Sequence, residues 1–450
     1  MLDRRISEWR KYVLQGPFIH PRELDELEGR LRGELDLLKG AGLDEDEAFL
    51  IAVKRIGELG VVSRELVCTY SEPLWRRLLL TPVAKGAGTG RNTDAMVAVA
   101  LAIAAAIAFR VPEFFGLGLY GPEGANVFYA QNFGFLVLPF LVLYFAWKRS
   151  LERSTLIRVA APFAAGILVM NLYPFVPGGH TESLSALHVL IALWLTMGYA
   201  FCAGQWRDHD RRMHFVRFSG EWFIFYTLIA LGGGVLTLLT LFIFGAIGLD
   251  AERFLATWVI PCGVAGAVII AAWLADARQS VIENVAPVLT MLFTPLFTLA
   301  LLAFLGTLIW TGKGITVERG VLIGFDVLLV VVVGLILYAI SARDPQRGPG
   351  FFDALQLALV VCALVVDAWA LWAILGRISS FGLSPNRVVA LGLNLLLVVN
   401  LAWAAFLHGR FLTHSGSFTA LVRWQTAYLP VYAAWAWIVV VVFPPSFGFT

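Results

Sequence analysis

Apolar residues recur with a helical period at the start of the chain. A set of leucines is spaced by three and four residues: Leu24, Leu27, Leu31, Leu35 and Leu38. This spacing puts them on one face of a helix, which we expect to begin near Pro21 and end near Gly40 or Gly42. One apolar face needs a partner, so we expect further helices at 3–14 and 61–70.

A second helix of this leading part is predicted after residue 43. Asp44 is a candidate N-cap with Glu47 three residues later, and Gly57 and Gly60 end the pattern. One side of this helix carries an apolar set: Phe49, Ala52, Val53 and Ile56. Residues 1–80 are therefore predicted to form a small soluble helical bundle.

Beyond residue 93 the pattern changes to long apolar segments of about 20 residues, the length that crosses a bilayer. We place eleven of them at 94–111, 127–147, 155–173, 184–203, 221–247, 254–275, 286–310, 320–340, 352–375, 385–408 and 426–443. Ten or twelve crossings stay open. The predicted fold class is all-α, a polytopic transmembrane helix bundle over 94–450, with the lipid bilayer as its surroundings.

A glycine-rich stretch, VAKGAGTGRNTD, lies between the two parts. It lacks the Gly-Lys-Ser/Thr ending with which a P-loop binds phosphate. We therefore predict a linker at 81–93.

Composition agrees with this division, since 59% of residues are hydrophobic and only 15% are charged. Residues 1–80 hold 28 of the 66 charges. No basic run resembles a nucleic-acid footprint, so we predict no nucleic acid as partner. Lys and Arg number sixteen on the side of the membrane shared with residues 1–80 and six on the other. The positive-inside rule then predicts a cytoplasmic N-terminus and, for an odd number of crossings, a C-terminus outside.

Charged residues inside the apolar segments are the main candidates for function. Segments eight, nine and ten contain Asp326, Asp367 and Asn394, which we expect at similar depth, about 9–12 Å from the outer face for the two carboxylates. Arg377 and Arg387 lie in the outer loop between segments nine and ten, against the positive-inside bias, and Arg319 is close enough in sequence to join them. Buried carboxylates are costly in lipid and usually pair with a cation.

The predicted cluster therefore consists of Asp326, Asp367, Arg377, Arg387, Asn394 and Arg319. One interpretation is a site for a proton, ion or anionic ligand, where Asp367 changes its protonation state. The other is an interhelical clamp made of ion pairs. The sequence alone does not choose between them.

Two stretches resemble known families. GRISSFGLSPNRVVALGLNLLLVVN resembles the signature of an uncharacterised bacterial family of polytopic membrane proteins, domain of unknown function four-one-five-three, through Arg377, Gly382, Leu383, Ser384 and Arg387. GLDEDEAFLIAVKRIGELGVVSREL resembles the helical prefix domain of bacterial permeases and signalling proteins. The resemblances imply a bacterial cytoplasmic (inner) membrane protein whose residues 1–80 are a cytoplasmic regulatory or docking module. They assign no activity.

Metal and cofactor sites are not predicted. His180, Glu182 and His188 lie near one segment end, but a spacing of eight does not put the two histidines on one helical face. No motif of an intramembrane hydrolase is present.

Our leading hypothesis is a non-enzymatic sensing or docking component that binds a cytoplasmic protein through residues 1–80. The alternative is a secondary transporter, or small-ligand permease, that uses the Asp/Arg cluster. An intramembrane enzyme is a third, weaker option.

Overall fold

The computed structural model describes residues 6, 21–40, 48–49, 52, 87–121, 124–125, 127–246, 249–277, 285–311, 319–343 and 347–450. The chain divides into two compact units, Met1–Arg91 and Asn92–Thr450. The predicted all-α class is confirmed, because the described residues are mainly helical.

The described part of the first unit contains the predicted helix, α1 (Pro21–Gly40). Leu31, Leu35 and Leu38 on its apolar face are buried, as are Phe49 and Ala52 of the next predicted helix. The Asp44 cap, the helix at 61–70 and most of the helix at 3–14 lie outside the described residues.

Helices that follow the predicted apolar segments run from residue 87, just before the second unit begins, to the end of that unit. They are α2 (Ala87–Arg110), α3 (Val127–Lys148), α4 (Arg153–Leu172), α5 (His180–Phe201), α6 (His209–Ala246), α7 (Glu252–Ala277), α8 (Val285–Thr311), α9 (Arg319–Ala342), α10 (Phe351–Phe381), α11 (Pro385–Leu412), α12 (Phe418–Val441) and the short α13 (Phe443–Ser446). A 3-10 turn (Val111–Phe115) follows α2, and a two-stranded antiparallel hairpin pairs β1 (Tyr120–Gly121) with β2 (Gly124–Ala125).

The first residue of α2 corrects the predicted end of the linker. Because the helix already begins at Ala87, the last part of the predicted linker 81–93 is helical. Residues 81–86 lie outside the described ranges.

Ten of these helices, α2 to α11, are long and apolar enough to span a membrane. The eleventh predicted segment, 426–443, falls mostly in α12. This helix has 24 residues and is not among the ten, and tryptophan, tyrosine and glutamine residues are interspersed along it. That α12 also crosses the membrane stays a prediction, as does the orientation of the bundle.

Two hydrophobic cores hold the second unit together. The first is formed mainly by α2 to α7 and the second by α8 to α12. Helix α12 joins them, since it packs on α5 as well as on α11. Within the second core, α10 and α11 pack against each other more extensively than any other pair of described helices. This contact positions the candidate site.

Candidate functional site

Asp367 lies near the middle of α10, on the face that this helix buries. Buried positions recur along that face at steps of three and four residues: Asp353, Gln356, Val360, Ala363, Asp367, Ala370 and Ile374. Asp367 follows Phe351 by 16 residues and precedes Phe381 by 14, or about 24 and 21 Å at the rise of an α-helix. The helix continues six residues past the predicted segment end at Leu375, and the depth of Asp367 in the membrane stays a prediction.

The carboxylate of Asp367 is buried without a partner. Its side chain has an exposed fraction of 0%, and neither of its oxygens has a hydrogen-bond partner among the residues that the structure describes. Desolvating an ion of this size costs several kcal/mol in a protein even after relaxation, and the cost is offset only by a close opposite charge or hydrogen bonds. The ionised side chain therefore requires a proton or another cation.

Asp326 and Asn394 bring two further helices to this position. Asn394 of α11 donates from Nδ2 to Asp326 Oδ1 of α9 at 2.8 Å and to the Ala390 carbonyl of its own helix at 2.8 Å. Its acceptor, Oδ1, is buried and has no hydrogen-bond partner. Asp326 is close enough to Asp367 to act on it electrostatically. The structure thus brings together the three predicted polar residues of segments eight to ten, which we call the carboxylate site.

Arg377 and Arg387, the two predicted arginines whose side chains the structure describes, do not hydrogen-bond Asp367. Arg387 donates from Nη1 to the carbonyls of Phe381 at 3.0 Å and Gly382 at 2.7 Å, and its guanidinium lies 5.5 Å from the centre of the Phe381 ring. Arg377 lies 5.9 Å from the same ring. Both contacts hold the turn between α10 and α11, where Gly382 has a φ of 75°.

Neither Asp367 oxygen accepts a hydrogen bond from a described arginine, so Arg377 and Arg387 do not supply the clamp, and the pairing of Asp367 with Arg319 stays a prediction. The physical reason is the extra length of α10. Arg377 lies ten residues beyond Asp367, or about 15 Å along the helix. Arg319 is the first residue of α9, and its side chain lies outside the described part of the structure.

A network on α11 and α12 was not predicted as part of the site. Asn400 donates from Nδ2 to Tyr432 Oη at 2.6 Å and to Gln425 Oε1 at 3.2 Å, and its Oδ1 accepts from Trp424 Nε1 at 2.8 Å. Tyr432 is also close enough to Asp367 to interact with it electrostatically. The available signal was a lone asparagine in an apolar run, six residues after Asn394.

The aromatic stripe of α12 is explained by helix packing. Besides Trp424 and Tyr432, Tyr428 donates to the Leu396 carbonyl of α11 at 2.9 Å. The ring of Trp435 lies directly over Gly392 of α11. Contacts with α11 therefore account for the positions of Tyr428 and Trp435.

Glu182 and His188, two members of the His180, Glu182 and His188 set, hydrogen-bond other groups of the protein. Glu182 accepts from Gln131 Nε2 at 2.7 Å and from the Gly178 amide at 2.8 Å, and His188 Nδ1 donates to the Leu184 carbonyl at 2.8 Å. Among the described residues, no group of three or more His, Cys, Asp or Glu side chains has the arrangement of a metal site.

The carboxylate site is defined by the chemistry of its unpaired atoms. The three buried atoms without a partner, Asp367 Oδ1, Asp367 Oδ2 and Asn394 Oδ1, are all oxygen acceptors. Oxygen acceptors bind protons and hard cations, whereas an anion needs donors. This arrangement favours a cation over the anionic ligand that the sequence left open.

Comparison with known proteins gives no relative: no family model, curated protein or solved structure matches this chain significantly. The resemblances to the bacterial membrane family and to the permease prefix domain therefore stay predictions.

Proposed function

We propose that this protein is a secondary transporter driven by a monovalent cation, a proton or Na⁺, which binds at the carboxylate site. The observation that carries the proposal is the Asp367 carboxylate, which is fully buried near the middle of a membrane-spanning helix with both oxygens unpaired. Ionisable residues at such positions in membrane proteins characteristically mark ion pathways and proton relays.

The neighbouring helices supply oxygen ligands rather than a compensating positive charge. Helix α9 contributes Asp326, α11 contributes Asn394, and α12 brings Tyr432 close. Helix α8, which packs on α10, has no charged residue in its sequence. Two adjacent carboxylates that hydrogen-bond no basic side chain among the described residues form a site whose occupied state is favoured by a bound cation.

Cation binding is coupled to transport in this proposal because three helices share the carboxylate site. A cation that binds between α9, α10 and α11 favours the packing in which these helices are close, so binding shifts the population of that state. Pro295 lies inside α8 and Pro430 inside α12, and both remove a backbone hydrogen bond of their helix. These are suitable points for the neighbouring helices to bend.

Thermal unfolding of the full-length protein in lipid nanodiscs tests cation binding. A cation that binds only the folded state stabilises it by RT ln(1 + [L]/Kd), or about 2.7 kcal/mol at 100 times Kd. We expect the melting temperature to rise with Na⁺ at constant ionic strength, or with proton concentration, and this rise to be lost in Asp367→Asn.

Asp276→Asn is the matched control. Asp276 is also buried, but it pairs with Lys148 and lies 3.6 Å from Arg149. The control should keep the cation response of the wild type. A full response in Asp367→Asn would contradict the proposed site.

Transport itself is tested in proteoliposomes with an imposed proton or Na⁺ gradient and a mixed pool of small solutes outside. We expect gradient-dependent uptake of one solute class by the wild type and the Asp276→Asn control, and none by Asp367→Asn. Cation binding without uptake of any solute would favour a sensor over a transporter. A docking role for residues 1–80 stays a separate prediction, since most of them lie outside the described ranges.

A further inference from the structure

A second set of unpaired polar atoms lies on the same two helices, towards the end of the bundle where α10 begins. Gln356 of α10 and His408 of α11 have exposed fractions of 2% and 1%. Within the described part of the chain, neither the Nε2 nor the Oε1 of Gln356 has a hydrogen-bond partner, and neither does His408 Nε2. We call Gln356 and His408 the inner polar pair.

The free atoms of the inner polar pair match the hydrogen bonding of water. His408 Nδ1 is bonded to the Ala404 carbonyl at 3.2 Å, and since a carbonyl only accepts, Nδ1 carries the hydrogen. In the neutral ring Nε2 is then an acceptor. With the amide of Gln356, the pair offers both donors and acceptors, which suits a molecule that does both. A buried water typically satisfies two to four such groups.

An ion pair closes this end of the bundle beside His408. Arg343, which follows α9, donates to both oxygens of Asp353, at 2.6 Å from Nε and 3.2 Å from Nη2. Its guanidinium lies 4.7 and 4.5 Å from the ring centres of Phe411 and Phe418. Asp353 and Arg343 are the charged groups that act electrostatically on His408.

The buried face of α10 connects the inner polar pair to the carboxylate site. Gln356 and Asp367 lie on that face, 11 residues or about 16 Å apart along the axis. Between them the face carries Val360 and Ala363. Helix α8 also packs on α10, and the buried Oγ1 of its Thr294 has no hydrogen-bond partner among the described residues.

We propose that the inner polar pair binds water and passes protons between the end of the bundle at Asp353 and Asp367. The proposal rests on the proposed function, and it deepens it by naming the proton as the cation and the Asp353 end as its entry. Opening of the Arg343–Asp353 pair would admit the proton, the water held by Gln356 and His408 would receive it, and further water between the helices would carry it the remaining ~16 Å to Asp367.

Infrared spectroscopy of the full-length protein in liposomes measures this relay directly. A neutral carboxylic acid has a C=O stretching band that shifts when its proton is replaced by deuterium, and loss in Asp367→Asn assigns the band. The rate of the shift after mixing with D2O reports proton access to Asp367. We expect His408→Leu and Gln356→Leu to slow it by about tenfold, which corresponds to ~1.4 kcal/mol in the barrier.

Two further variants separate the relay from packing. His408→Gln keeps a polar end and should retain a rate near that of the wild type. His188→Leu is the matched control, since His188 is buried in α5 and bonds the carbonyl four residues earlier, as His408 does. It should leave the rate unchanged.

The outcomes distinguish this inference from the proposed function. Wild-type exchange rates in His408→Leu and Gln356→Leu, with the Asp367 band present, would overturn the relay and leave the carboxylate site intact. Absence of the band, together with an Na⁺ response that Asp367→Asn abolishes, would also overturn the relay alone. Absence of both the band and any cation response would overturn the proposed function as well.

Discussion

The contact of α11 with α12 depends on Asn400, and replacing it by leucine tests the buried network quantitatively. Asn400→Leu keeps a similar volume and removes three side-chain hydrogen bonds, to Tyr432, Gln425 and Trp424. Asn400 and Gln425 each have an exposed fraction of 1%. Water therefore does not replace the lost bonds in the folded state.

The expected loss in the free energy of unfolding depends on whether the unfolded state lies in the membrane or in water. Hydrogen bonds between membrane helices are worth about 0.6 kcal/mol on average, so three lost bonds predict a loss of ~2 kcal/mol in the free energy of unfolding. Soluble-protein values of about 1 kcal/mol per bond, with a further 1–3 kcal/mol for each orphaned group, would predict more than ~5 kcal/mol. Trp424 keeps a bond of 3.3 Å to the Asn400 backbone carbonyl, which favours the smaller figure.

Equilibrium unfolding in bicelles measures this difference. Tyr432→Phe removes one of the three bonds and should cost ~0.6 kcal/mol, and the double variant should show a coupling of the same size. Val399→Leu, at a neighbouring position with an exposed fraction of 48%, should leave stability unchanged. A loss below ~0.5 kcal/mol in Asn400→Leu, or no coupling to Tyr432→Phe, would refute the network as a stabilising contact.

Two further predictions concern packing and thiol reactivity. Gly392→Ala should destabilise the protein by about 1–3 kcal/mol in the same unfolding assay, because its Cβ would overlap the Trp435 ring; Gly232→Ala, where a Cβ meets nothing within 4 Å, should cost nothing. If both variants are equally stable, the close contact of α11 with α12 is refuted. Burial raises the pKa of the Cys202 thiol to about 12 despite the nearby Arg149, so peptide mass spectrometry should find no labelling of Cys202 by iodoacetamide at pH 8 until the protein unfolds. Rapid labelling of the folded protein would contradict its burial.

The membrane helices were predictable because unpaired backbone groups are costly in lipid, and a helix satisfies them within one continuous segment of the sequence. A bilayer requires a continuous apolar run whose backbone bonds close within the segment, so length and composition were enough to find α2 to α11. The period of the leucines was enough to find α1. The cost of a buried charge also pointed to Asp326 and Asp367 before their surroundings were known.

The partners of those residues were decided only by the tertiary structure. Membrane helices are apolar on every side, so no amphipathic stripe in the sequence shows which face is inside. Thus Asp326 pairs with Asn394 and not with an arginine, Arg387 bonds the turn, and Asn400 bonds α12, all of which depend on how the helices are rotated. The sequence determined that carboxylates lie within apolar segments; the packing of α9, α10 and α11 determined that no described residue hydrogen-bonds the buried Asp367 carboxylate.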